Sequence, residues 1–122
     1  MSESEDSTYQ IIKKKVEWLD AQAHCHAIGG HLAAFETEEE FSSISNYIPN
    51  GRHHFGLNDR KEEMKYVWEH SGQELGTYQP WDEGEPSDRW SEDCCYLDQG
   101  RWHDIRCKPD FSYHFICEFA KQ

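Results

Sequence analysis

Residues 83–107, EGEPSDRWSEDCCYLDQGRWHDIRC, decide how the rest of the chain is read. Glu83, Glu85, Asp88, Glu92 and Asp93 fall within the first eleven of them, a density of like charge that repels itself unless a cation sits among the carboxylates. Calcium suits such a set. It takes about 6–8 oxygen ligands in flexible geometry, whereas zinc is held by about four ligands, largely nitrogen or sulfur. Gly84, Pro86 and Ser87 are turn formers, and Pro86 has no N–H to give a ladder, so the segment reads as a loop. Tyr96 and Leu97 follow as a short strand, and Gly100-Arg101-Trp102 as a turn into a second strand that ends at Cys107.

Outward from this loop the chain has a regular order. Residues 1–8 are polar and read as a flexible tail, with the domain over 9–122. Tyr9 to Val16 carries Tyr9, Ile11, Ile12 and Val16 and reads as a first strand. From Trp18 the period changes: Trp18, Ala21, Cys25 and Ile28 share one face of a helix that Gly29-Gly30 ends, leaving His24 and His26 on its other faces as surface residues rather than metal ligands. His31 to Phe35 is an apolar link. Thr37 and Glu40 form a capping box for a second helix with Phe41, Ile44 and Ile48 as its stripe, and Pro49-Asn50-Gly51 stops it. Phe55-Gly56-Leu57 and Tyr66-Val67-Trp68 are strand candidates separated by the charged segment 58–65. The run 70–93 shows little periodicity, and a loop that long in one domain is usually functional. Tyr78, Trp81 and Trp90 can pin it down. Phe115 to Phe119 closes the chain as a last strand.

The composition bounds what such a chain can do. With 122 residues it is the size of one domain. A net charge of −12 argues against nucleic acid, which is bound by clustered Lys and Arg; the one basic run, Lys13-Lys14-Lys15, reads as a solvated strand end. Five cysteines without a CxxC or HExxH pattern point to an oxidising, extracellular compartment. No apolar run approaches the ~20 residues of a membrane span, so membrane insertion is not expected, and the opening residues lack the pattern of a signal peptide. Five Trp among 14% aromatic residues supply much of the core. No His–Cys or Ser–His–Asp spacing suggests an enzyme.

These residues carry a resemblance. Glu85-Pro86-Ser87, Glu92-Asp93-Cys94, Trp102-His103-Asp104, Cys107 and Phe115-Ile116-Cys117-Glu118 resemble the long-loop and closing motifs of the C-type lectin-like domain. Trp18 to Cys25, Gly29-Gly30-His31-Leu32-Ala33 and Phe55-Gly56-Leu57-Asn58-Asp59 resemble its earlier motifs. The set runs in the family's order over nearly the whole chain. The resemblance implies an α+β fold, with two helices, small antiparallel sheets and a long calcium-stabilised loop. It also implies the bridges Cys25–Cys117 and Cys94–Cys107. Cys95 is left over, and three readings of it stay open: a small buried hydrophobe, an intermolecular bridge making a homodimer, or a reactive thiol.

The same resemblance implies a principal calcium site at Glu85, Ser87, Glu92, His103 and Asp104, which also forms the sugar site, and an auxiliary one at Asp59, Glu63, Asp88, Glu92 and Asp93. Two positions depart from the mannose-type pattern: Ser87 stands where Asn follows Glu-Pro, and His103 where Asn is usual. Ser is shorter than Asn with one proton to give, and imidazole nitrogen is a poor calcium ligand. Calcium-dependent binding of glycans on microbial or cell surfaces is the expected function. The Glu85-first order favours equatorial vicinal hydroxyls, as in mannose, glucose and N-acetylglucosamine. Trp90 or Trp81 would stack on the sugar or anchor the loop. The alternative is a protein-, ice- or mineral-binding domain that keeps calcium only to order its loop.

Overall fold

The computed structural model describes residues 7–87 and 92–120. Helix α1 spans Trp18–Ala27, and Trp18, Ala21 and Cys25 line its buried side as their spacing predicts. Ile28 does not join them. It follows the helix as a C-cap and is 46% exposed, because Gly29, at φ 94°, has begun to turn the chain and Gly30 donates its N–H back to Cys25 O at 2.8 Å. The second helix, α2, is shorter than its apolar stripe implies, at Glu38–Ser42. Thr37 caps it, its Oγ1 accepting the Glu40 N–H at 3.1 Å. Ser43 Oγ then donates to Glu40 O at 2.7 Å, and the chain passes into a 3-10 turn at Ser45–Tyr47. Phe41, Ile44 and Ile48 still pack against the core, the last two from outside the helix.

The strands are β1 (Ser7–Val16), β2 (His31–Leu32), β3 (Arg52–Asn58), β4 (Val67–Trp68), β5 (Cys94–Asp98), β6 (Arg101–Ile105) and β7 (Tyr113–Ala120). The small antiparallel sheets expected are joined into one seven-stranded arrangement, ordered β1-β7-β3-β5-β6, with β2 on β7 and β4 on β3. The joint is a parallel contact between β3 and β7; the other pairs are antiparallel. β1 begins earlier than Tyr9. Ser7 and Thr8, assigned to the tail from sequence, pair with Ala120 and Phe119; residues 1–6 lie outside the described residues.

Trp102 sits at the centre of one core cluster, with the rings of Phe55, Trp68, Tyr78 and Trp81 centred 5.3–5.7 Å away. The second cluster gathers Trp18, Cys25, Leu32, Phe115 and Cys117. Trp18 links the two, donating its indole N–H to Phe55 O at 2.8 Å. Gly56 is required by a close approach: its N–H reaches Ala33 O at 2.8 Å, and a Cβ there would stand 2.9 Å from Leu32 O.

Two disulfides, Cys25–Cys117 and Cys94–Cys107, lie within the chain. Neighbouring residues on β5 point to opposite faces, so Cys94 reaches Cys107 while Cys95 turns into the core. Cys95 is fully buried, and burial pushes its thiol well above the ordinary range. The intermolecular bridge through Cys95 is therefore not supported: its sulfur cannot meet a second copy without opening the core.

Candidate functional site

The long segment between β4 and β5 is brought back onto β6 by backbone bonds. Trp102 N–H donates to Pro80 O at 2.9 Å and Asp82 N–H to Trp102 O at 3.0 Å. Trp81 is packed against Tyr66 and Trp102 as a loop anchor. The Glu85 N–H then donates to Asp82 O at 2.9 Å, and the Glu85–Pro86 peptide is cis. The loop is thus laid along β6, next to His103 and Asp104.

Ser87 ties this group together. Its backbone N–H lies 3.0 Å from both Glu85 Oε1 and Asp104 Oδ1. Its hydroxyl is 2.5 Å from Glu92 Oε1 and 3.2 Å from Asp104 Oδ1. Three carboxylates of the expected principal set are therefore gathered around one serine. Burial, and then the proximity of Asp104, pushes the Glu85 carboxyl up to about 7. A cation among these oxygens would favour their ionised forms.

His103, the fifth member, projects beside them with Nδ1 3.5 Å from Glu85 Oε2 and Nε2 3.4 Å from Asp82 Oδ2. Its ring lies flat on Tyr96, with centroids 4.7 Å apart. Each ring nitrogen thus faces a carboxylate oxygen, so whichever carries the proton has an acceptor beside it.

The auxiliary set is the tighter one. Among the described residues, Asp59, Glu63 and Asp93 form the one carboxylate triad whose oxygens converge within 4.8 Å. The loop after β3 curls around Asp59: its N–H donates to Asp93 O at 3.1 Å, and its Oδ2 accepts the Met64 N–H at 2.8 Å. Asp93 Oδ1 is buried and accepts no hydrogen bond among the described residues, a position that costs free energy until something positive supplies a partner. All-oxygen donors of this kind fit calcium and lack the nitrogen and sulfur that zinc prefers. Asp88 and Trp90, also expected at the site, lie outside the described residues. Glu92, expected in both sets, bonds to Ser87 and precedes Asp93, so it joins them.

Three neighbours were not read from the sequence. Asp82 faces His103, Tyr66 donates its phenol O–H to Asp104 Oδ2 at 3.4 Å, and Tyr96 carries the His103 ring. Asp82 directly precedes the acidic run, which is a usable signal; Tyr66 and Tyr96 read only as strand residues.

Comparison with known proteins agrees with the fold. The lectin C-type domain family model matches residues 14–119. Human Collectin-10 is 32% identical over 98% of the chain, which corresponds to 44% of that protein; the chain thus spans less than half the length of such relatives. The carbohydrate-recognition domain of the mouse scavenger receptor C-type lectin superposes with a TM-score of 0.85 at 29% identity, covering 96% of this chain and 92% of that one. A calcium-independent type II antifreeze protein superposes with a TM-score of 0.83 at 25% identity, covering 94% and 87%. The helices, the long loop laid along β6 and the family match over residues 14–119 lead to one conclusion: the chain belongs to the C-type lectin domain family.

Proposed function

We propose that this chain is a secreted, calcium-dependent carbohydrate-binding domain without catalytic activity, selective for sugars with equatorial vicinal hydroxyls such as mannose, glucose and N-acetylglucosamine. The observation that carries this reading is the gathering of Glu85, Glu92 and Asp104 around Ser87 with His103 beside them. Glu85, Ser87, Glu92 and Asp104 would hold the principal ion, and Asp59, Glu63, Asp88, Glu92 and Asp93 the auxiliary one. Bound calcium supplies an oxygen-seeking centre on which two sugar hydroxyls can take the place of water. Glu85 accepts a hydroxyl proton, while His103 and Ser87 donate. The partners of such a site are glycans on microbial or cell surfaces. A glycan array probed in calcium and in chelator tests it; no calcium-dependent spot would overturn it.

One observation favours a second reading. The N–H and the hydroxyl of Ser87 are both engaged inside the cluster, which weakens it as a donor to a sugar. A domain that kept calcium only to order its loop, and bound protein, ice or mineral, would show calcium stabilisation with a blank array.

A further inference from the structure

The two ends of the sheet are finished differently. At one end β6 is covered by the long loop: Trp81 bridges to Trp102, and the Trp102 N–H donates to Pro80 O. At the other end β1 pairs with β7 along one side and, among the described residues, with no strand along its other side. An open strand edge offers backbone N–H and C=O groups to a further strand, and proteins usually blunt it with Lys, Pro or a bulge. β1 carries such devices only in its second half, where Lys13, Lys14 and Lys15 are exposed and the register with β7 shifts between Ile12 and Val16. From Ser7 to Ile12 it pairs regularly with β7 and contains no charge and no Pro.

The charges at its two ends are opposite. Glu3, Glu5 and Asp6 precede the strand in the sequence, and the three lysines, the one basic run of a chain of net charge −12, close it. When two copies of a strand pair antiparallel about a two-fold axis, the start of each lies beside the end of the other. A second copy of this chain therefore brings the acidic end of each strand to the lysines of its partner, a match at both ends that a strand of unrelated sequence has no reason to make. Beside the same half of β1 opens a pocket of about 380 Å³, lined by Tyr9, Ile11, Ile44 and Tyr47 among others and by no charged side chain. Tyr47 stands 77% exposed there, more than any other large apolar residue described. Apolar surface with an exposed aromatic ring, rimmed by charge, is the composition of a protein interface.

We propose that β1 is a homodimer interface, in which two copies pair their strands antiparallel over Ser7–Ile12 and cover the pockets beside Tyr47, with no covalent link. The acidic loop lies along β6, at the opposite edge of the sheet, so the pairing leaves it uncovered in both copies and does not depend on what it binds.

The test is sedimentation of the whole chain in EDTA from about 10 µM to about 1 mM, the range of weak association, where calcium-dependent glycan binding plays no part. A monomer–dimer equilibrium should appear and should weaken with added salt. Amide hydrogen exchange at the upper concentration should slow along Ser7–Ile12 and not along Arg101–Ile105. Gln10→Lys, with an unchanged melt, sets two like charges near the two-fold axis and should weaken the dimer roughly tenfold. Lys13→Glu with Lys14→Glu in one chain, and Glu5→Lys with Asp6→Lys in another, should each weaken self-association, and an equimolar mixture of the two should recover it, which a misfolded variant could not do. The proposal is overturned if the protected amides lie in β6, if Gln10→Lys dimerises like the parent, or if the mixture stays monomeric. A parent chain that is monomeric throughout also overturns it and would leave the edge to a strand of another protein.

Discussion

The imidazole of His103 lies parallel to the ring of Tyr96, with planes within 3° and centroids 4.7 Å apart. The stack fixes the direction in which His103 reaches past Glu85, so the ring is ready for a ligand before one arrives. Pairs of this kind are worth about 0.5–1.5 kcal/mol beyond their buried area. Tyr96→Ala should therefore weaken sugar binding roughly 2–10-fold while leaving calcium affinity unchanged, and Tyr96→Phe should retain parental binding. Sugar and calcium titrations of the variants check this; equal losses in Phe and Ala would remove the stack from consideration.

Calcium should raise the melting temperature. A ligand that binds only the folded chain adds about 2.7 kcal/mol when present at a hundred times its Kd, and the buried Asp93 oxygen, which has no donor among the described residues, would gain a partner. Thermal melts in millimolar calcium and in EDTA measure the difference. Coincident curves would reject metal binding at either carboxylate set.

The two sets should separate by mutation. Glu85→Ala removes a carboxylate of the Ser87 cluster and should abolish calcium-dependent sugar binding with the helical signal intact. Asp93→Asn, in the Asp59 triad, should chiefly lower the calcium-induced gain in melting temperature. Reversed outcomes, read by sugar titration and by melting, would exchange the roles of the two sets.

Acid should destabilise the fold through His54. Burial pulls this imidazole from its ordinary 6.5 down to about 4, and the side chain has no solvent exposure. A histidine lowered in the folded state favours folding above the unfolded value, and that contribution is lost as pH falls from about 6.5 towards 4, where the unfolded chain takes the proton first. The shift corresponds to at most about 3 kcal/mol. Denaturant titrations between pH 7.5 and 4 should show this slope in the parent and less of it in His54→Gln. Identical slopes would assign the acid loss elsewhere.

What the sequence disclosed depended on the range over which each signal acts. Trp18, Ala21 and Cys25 mark a helix face through spacing alone, and Thr37 with Glu40 marks a cap through two neighbouring side chains. The extent of α2 was not legible, because Ser43 offers the backbone a local alternative that the apolar stripe does not register. Ile28 fits the helical period but comes after the turn has begun. The approach of Asp82 to His103 arises from backbone bonds between Pro80, Asp82 and Trp102, which have no signature in residue type. Glu85, Ser87, Glu92 and Asp104 could be named beforehand because they belong to a motif; Tyr66, just before β4, and Tyr96, in β5, reach the same place from positions where any large residue would read alike.

The pairing of Ser7 with Ala120, together with the Cys25–Cys117 bridge, determines how the domain carries mechanical load. A pull applied between Ser7 and Ala120 opens the antiparallel β1–β7 ladder one pair at a time, as a zipper opens. It then passes through α1 to Cys25, crosses the disulfide and leaves by the end of β7 after Cys117. Everything from residue 26 to residue 116, including both acidic loops, lies outside that path. Tension can strip the first strand and the first helix, but the covalent shortcut keeps it off the segment that would grip a ligand.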